Sequence, residues 1–119
     1  MRTTANVLLG LVAALHVYFL VLEMFLWRKP LGRRVFRTTP AQADATATLA
    51  ANQGLYNGFL AAGLVWSLVA PSPLRPALAT FFCACVIVAG IFGAVTVSRR
   101  ILIVQALPAA LALAAVWLT

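Results

Sequence analysis

The residues able to do chemistry in this sequence are few, and they sit where polarity is costly. His16 and Glu23 fall in one apolar segment, Asn52, Gln53, Tyr56 and Asn57 in a second, Thr96 in a third and Gln105 in a fourth. Hydrocarbon is a poor solvent for all of them, so each needs a partner or water. His16 and Glu23 are seven residues apart, almost two full helical turns, and project from one face together with Phe19. Asn52, Gln53, Tyr56 and Asn57 spread over relative angles of about 0°, 100°, 40° and 140°, a single broad face that can meet the first. A carboxylate on one face with an imidazole, facing several carboxamides, is poised for proton transfer or for gripping a polar head group. Glu23 and His16 are therefore the candidate catalytic pair, and Asn52, Gln53, Tyr56, Asn57 and Gln105 the candidate ligand-binding residues.

Four helices are needed to position these groups. The first spans about residues 5–27; it runs too long, and lacks a small-x-small cleavage site, for a signal peptide, so it is expected to stay as a membrane helix. Arg28 to Arg37 follows as an interfacial loop in which Pro30 and Gly32 break the helix and five basic residues seek phosphate head groups and water. Thr39-Pro40-Ala41-Gln42 reads as a helix start, with Thr39 as N-cap, Pro40 in the first helical position and Gln42 completing a capping box. That second helix runs over about 40–69, beginning outside the apolar zone and stopping at Ala70-Pro71-Ser72-Pro73. Ser72 and Pro73 cap a third helix over about 73–98, Arg99-Arg100 makes a tight turn, and a last helix covers 101–118. Pro108 removes one backbone bond and predicts a kink near the Val104 carbonyl.

Composition agrees with a membrane protein. The 119 residues are 64% apolar and only 9% charged, with a mean hydropathy of +1.02. Each helix needs about 20 apolar residues to cross a bilayer, so at most four spans fit, and length alone excludes a Rossmann unit or a large catalytic domain. The net charge of +7 belongs to topology rather than to nucleic-acid binding, because so apolar a chain is no soluble basic domain. Five basic residues in the first loop plus Arg99 and Arg100 stand against Arg2 and Arg75 on the other side. The basic side is expected to be cytoplasmic, with both termini outside the cytoplasm. On that frame Glu23 lies about 6 Å inside the cytoplasmic interface, Gln105 about 8 Å and His16 about 16 Å.

Other features carry less. Trp27, Trp66 and Trp117 lie near the expected span ends and read as interface anchors. Gly54 and Gly58 with Ala61 and Ala62, Ala89 with Gly93, and Ala106, Ala110 and Ala114 permit close helix contact, which serves bundling and homodimerisation equally. Cys83 and Cys85 point to nearly opposite sides of a helix and read as packing residues. One His and one Glu make a poor metal set, and no cofactor is implied.

The strings His16 to Trp27, Ala51 to Leu64 and Ile101 to Ala109 resemble the small bacterial membrane family named domain of unknown function 1304, over nearly the whole chain, with Asn52-Gln53-Gly54-Leu55-Tyr56-Asn57-Gly58 the most specific match. The resemblance implies a four-helix protein of the bacterial inner membrane whose His, Glu, Asn, Gln and Pro positions are hallmarks, and it supplies no activity.

The expected fold is thus all-α: a single up-down antiparallel four-helix transmembrane domain over residues 1–119, with one longer cytoplasmic loop between helices 1 and 2. The expected function is binding of an amphiphilic or lipid-like small molecule in an intramembrane polar pocket near the cytoplasmic side, on the facing surfaces of helices 1 and 2 with Gln105 closing one side. The alternative is an acid/base enzyme of isomerase, hydratase, epoxide hydrolase or cyclase type, similar in kind to membrane sterol isomerases and using Glu23 and His16 on an apolar substrate. A proton-coupled exporter ranks third, because Glu23 is near the interface and the second helix carries carboxamides in place of an aromatic face. The expected partners are the bilayer and an apolar or amphiphilic small molecule, with no nucleic acid.

Overall fold

The computed structural model describes residues 2–118, which are all helical in their regular structure, with no strand among them. The helices are α1 (Arg2–Met24), α2 (Pro30–Phe36), α3 (Pro40–Val69), α4 (Arg75–Thr96) and α5 (Leu107–Leu118), with a π-helical segment, Leu102–Ala106, leading directly into α5. Two helical stretches, Thr3–Met24 and Arg75–Thr96, are long and apolar enough to cross a membrane. The helix α3 misses that standard because Asn52, Gln53, Tyr56 and Asn57 dilute its apolar run, and Leu102–Leu118 is apolar but short.

Thr39 and Gln42 form the expected reciprocal cap at the start of α3. The Gln42 backbone N–H donates to Thr39 Oγ1 at 3.1 Å, and the Thr39 N–H donates to Gln42 Oε1 at 2.9 Å. Pro40 takes the first helical position, where no amide donor is needed. The start of α4 differs from expectation. Ser72 and Pro73 do not cap it; the Leu74 N–H instead closes a turn onto the Pro71 carbonyl at 2.9 Å, and the helix begins at Arg75 without a side-chain cap. Pro76 lies in the first turn, where its missing N–H leaves no helical bond unmade.

The segment expected to be a loop from Arg28 to Arg37 contains α2. Pro30 opens this helix in place of breaking it, following Lys29 in extended conformation. Gly32 is buried inside it because a Cβ there would overlap the Leu26 carbonyl, so its smallness serves packing. The helix ends at Arg37, whose φ of 56° is left-handed, with the Arg37 and Thr38 amides both donating to the Arg33 carbonyl.

The chain divides into two compact units, and α1 and α3 run through both: residues up to Ala14 with those from Leu60 on, and Leu15–Phe59. In the first unit, Leu9, Val12, Ala13, Leu64, Ala79, Cys83, Val86, Ala109 and Ala112 make the apolar core. The small residues that pack in α5 are therefore Ala109 and Ala112, whereas Ala110 and Ala114 of the expected stripe are exposed, as is Ala89 of α4. The π-helical segment sits where Pro108 acts. Proline has no N–H for the Val104 carbonyl and its ring crowds that oxygen, and one widened turn relieves both problems. Trp117 Nε1 donates to Thr80 Oγ1 at 2.8 Å, tying α5 to α4.

In the second unit α1 stops at Met24, short of the expected Trp27. The Phe25 and Leu26 amides both return to the Val21 carbonyl. That turn frees Trp27 to reach α3, where its Nε1 donates to the Ala43 carbonyl at 3.1 Å and to Thr46 Oγ1 at 3.2 Å. Its ring lies 4.9 Å from that of Phe36 in α2, so one indole fastens three elements.

Candidate functional site

Among the described residues four polar ones are buried: His16, Glu23, Asn57 and Ser67. Three of them were singled out by the sequence, and two of those meet. Glu23, on the last turn of α1, is 8% exposed and Asn57, midway along α3, is 4% exposed. Asn57 Nδ2 donates to Glu23 Oε1 at 2.5 Å. The contact exists because of Gly54, one turn earlier on the same side of α3. A Cβ at Gly54 would lie 2.5 Å from Met24 Cγ, 3.2 Å from Glu23 Cβ and 3.3 Å from the Leu20 carbonyl oxygen. The Gly54/Gly58 spacing thus brings α3 against the end of α1, and the Asn57 amide is carried to the carboxylate.

His16 is fully buried on α1, about 10 Å along the helix axis from Glu23. Phe19 packs edge-on against its imidazole, with ring centroids 5.6 Å apart and planes at 79°. Carboxyl and imidazole are therefore both withdrawn from solvent on one flank of α1, each with its own neighbours.

The remaining expected ligands are placed differently. Asn52, Gln53 and Tyr56 are exposed, with Tyr56 edge-on to Phe59 at 6.0 Å. Their arc on α3 is too wide for one neighbour: the end holding Asn57 faces α1, while Asn52 and Tyr56 face outward. Gln105 is half-buried in the π-helical segment, in the other unit. Among the described residues no three of His, Cys, Asp and Glu group as metal ligands would.

A second polar node escaped the sequence. Arg75, counted only as a topology charge, donates from Nη2 to Asn6 Oδ1 at 2.9 Å and from Nε to the Ser67 carbonyl at 3.2 Å. Ser67, 1% exposed, returns its hydroxyl to the Leu64 carbonyl at 2.6 Å. The only signal for it was an asparagine and a serine at opposite ends of two apolar helices. The arrangement satisfies every named donor internally and reads as a structural clamp between α1, α3 and α4.

Residues 10–117 match the model of the family described as Protein of unknown function (DUF1304), and the chain belongs to that family. It is also similar to a protein of Lactococcus lactis subsp. lactis (strain IL1403) named "Uncharacterized protein YpaA", with 28% identity over 114 residues that cover 93% of this chain and 95% of the relative. No solved structure matches the chain.

Proposed function

We propose that this is a small integral protein of the bacterial inner membrane that binds an amphiphilic, lipid-like molecule at the buried Glu23–Asn57 pair. The supporting observation is that pair itself: a carboxyl and a carboxamide hydrogen-bonded and nearly buried in a unit whose other packing is mostly apolar. Polar side chains are retained at such positions when they are partnered, and a fixed acceptor and donor suit recognition of a hydroxyl, amine or amide head group. The apolar part of the ligand would lie in the surrounding hydrocarbon, so no enclosed cavity is required.

The membrane frame belongs to the same proposal. All four long apolar segments span, as an up-down bundle forming a single transmembrane domain. The Arg28–Arg37 segment and Arg99-Arg100 lie in the cytoplasm and both termini outside it, on the basic-residue bias of seven against two. Within the spans the polar interruption of α3 is tolerable because Asn57 is paired.

A second function, acid/base catalysis on an apolar substrate, is favoured by one specific feature, the burial of His16 and Glu23 on the same helix. Mass spectrometry of small molecules retained by the full chain purified in mild detergent tests binding. Wild type should retain a defined species and Asn57→Leu should lose it, whereas equal retention by both would refute a site at this pair. For catalysis, Glu23→Gln keeps shape but cannot exchange the proton. Turnover of an identified substrate should vanish while binding persists; full activity in that variant would remove Glu23 from the chemistry.

A further inference from the structure

The chain has only two acidic side chains, and both already have partners. Glu23 accepts from Asn57, and Asp44 pairs with Arg28 Nε at 3.1 Å, while Arg33, Arg34 and Arg37 crowd the end of α2. Arg33 and Thr38 are half-buried at that end, and one donor atom of each, Arg33 Nε and Thr38 Oγ1, is covered without a hydrogen-bond partner. The two residues are tied together at one helix end by the bond from the Thr38 N–H to the Arg33 carbonyl at 3.0 Å.

A guanidinium nitrogen can only donate, and a hydroxyl beside it can donate too. Burying such groups unpaired costs stability unless something supplies acceptors. The backbone offers little there, because the Arg33 carbonyl already accepts from both Arg37 and Thr38. The missing complement is an acceptor-rich anion. We propose that Arg33 and Thr38 form a binding site for a phosphate oxyanion, with the exposed Arg34 and Arg37 adding charge at its rim. Phosphate fits because several oxygens take donors from separate directions and the Arg fork matches two of them. Leu31 in α2 and Phe25 in the turn before it are exposed apolar side chains, 41% and 67% accessible, and apolar surface in the same segment suits the phosphate of an anionic lipid. The site is separate from the Glu23–Asn57 pair and does not depend on what binds there.

Native mass spectrometry of the full chain in detergent, titrated separately with phosphatidylglycerol and with inorganic phosphate, tests this. One saturable adduct is expected, weakened about tenfold by Arg33→Lys, which keeps the charge but lacks Nε, and about as much by Thr38→Val. Arg34→Gln, at an exposed charge, should change affinity only about twofold. Binding of phosphatidylglycerol alone identifies a lipid head group; phosphate binding that competes with it identifies a free anion, and either supports the site. Should Arg33→Lys disturb folding, Thr38→Val carries the test, with helical content checked by circular dichroism. Wild-type affinity in a folded Thr38→Val protein, or no saturable adduct with either probe, overturns the assignment.

Discussion

Replacing Asn57 with leucine removes the donor to Glu23 while keeping side-chain volume, so the change isolates the hydrogen bond from cavity effects. Asn57 is 4% and Glu23 8% exposed, so water cannot readily replace the lost amide. A hydrogen bond to a charged or strongly polar buried partner contributes about 1.5–3 kcal/mol, and stranding the acceptor costs the upper part of that range. A destabilisation of about 2 kcal/mol is expected, or roughly 8 °C in the melting temperature of a chain this size. The sharper consequence concerns the double variant. Glu23→Met with Asn57→Leu removes both polar groups, and an apolar pair of similar volume should recover most of the loss. Thermal unfolding in detergent, followed by circular dichroism, measures the four corners of the cycle. Coupling of at least about 1 kcal/mol, with the double variant more stable than Asn57→Leu alone, is the expected result. Strict additivity, or an Asn57→Leu protein as stable as wild type, would refute the pairing as a buried interaction.

Further outcomes follow from other contacts. Arg37→Gly should stabilise α2 by about 0.5–1 kcal/mol, since glycine adopts the left-handed turn without cost, and the same unfolding assay measures it. Trp27→Phe removes both indole bonds to α3 and should destabilise by about 1 kcal/mol, with faster amide exchange through Ala43 to Thr46. Pro108→Ala restores an N–H for the Val104 carbonyl; it should convert the π-helical segment to regular α-helix and slow amide exchange at 105–108, and unchanged exchange would contradict the proline origin of the segment. A cysteine at position 34 should resist impermeant thiol reagents in intact cells, and ready labelling would reverse the proposed topology.

Local signals were the most legible part of the sequence. The Thr39–Gln42 cap depends on residues three apart, and both of its bonds are present as expected. The position of Pro108 likewise marked where the last helix departs from α geometry, although periodicity alone does not distinguish a kink from a π turn. Gly32 packs against the Leu26 carbonyl in place of breaking a helix, a role that no neighbouring residue announces. The same limit explains the site. Helical angles placed Glu23 and Asn57 on faces able to meet, but an arc of about 140° on α3 was too broad to share one neighbour, and Asn52 and Tyr56 ended outside. The Arg75 clamp was hidden because Asn6 is 69 residues away, Ser67 offers only its backbone carbonyl across the α3–α4 connection, and neither is remarkable alone.

Photolabelling with a diazirine-bearing amphiphile, mapped by peptide mass spectrometry on the full chain, addresses the binding proposal most directly. Labels are predicted to concentrate around Glu23 and Asn57, to be displaced by the co-purifying species, and to fall in Asn57→Leu. Labelling confined to the exposed apolar face of α4, from Phe81 to Phe92, and indifferent to Asn57 would contradict it.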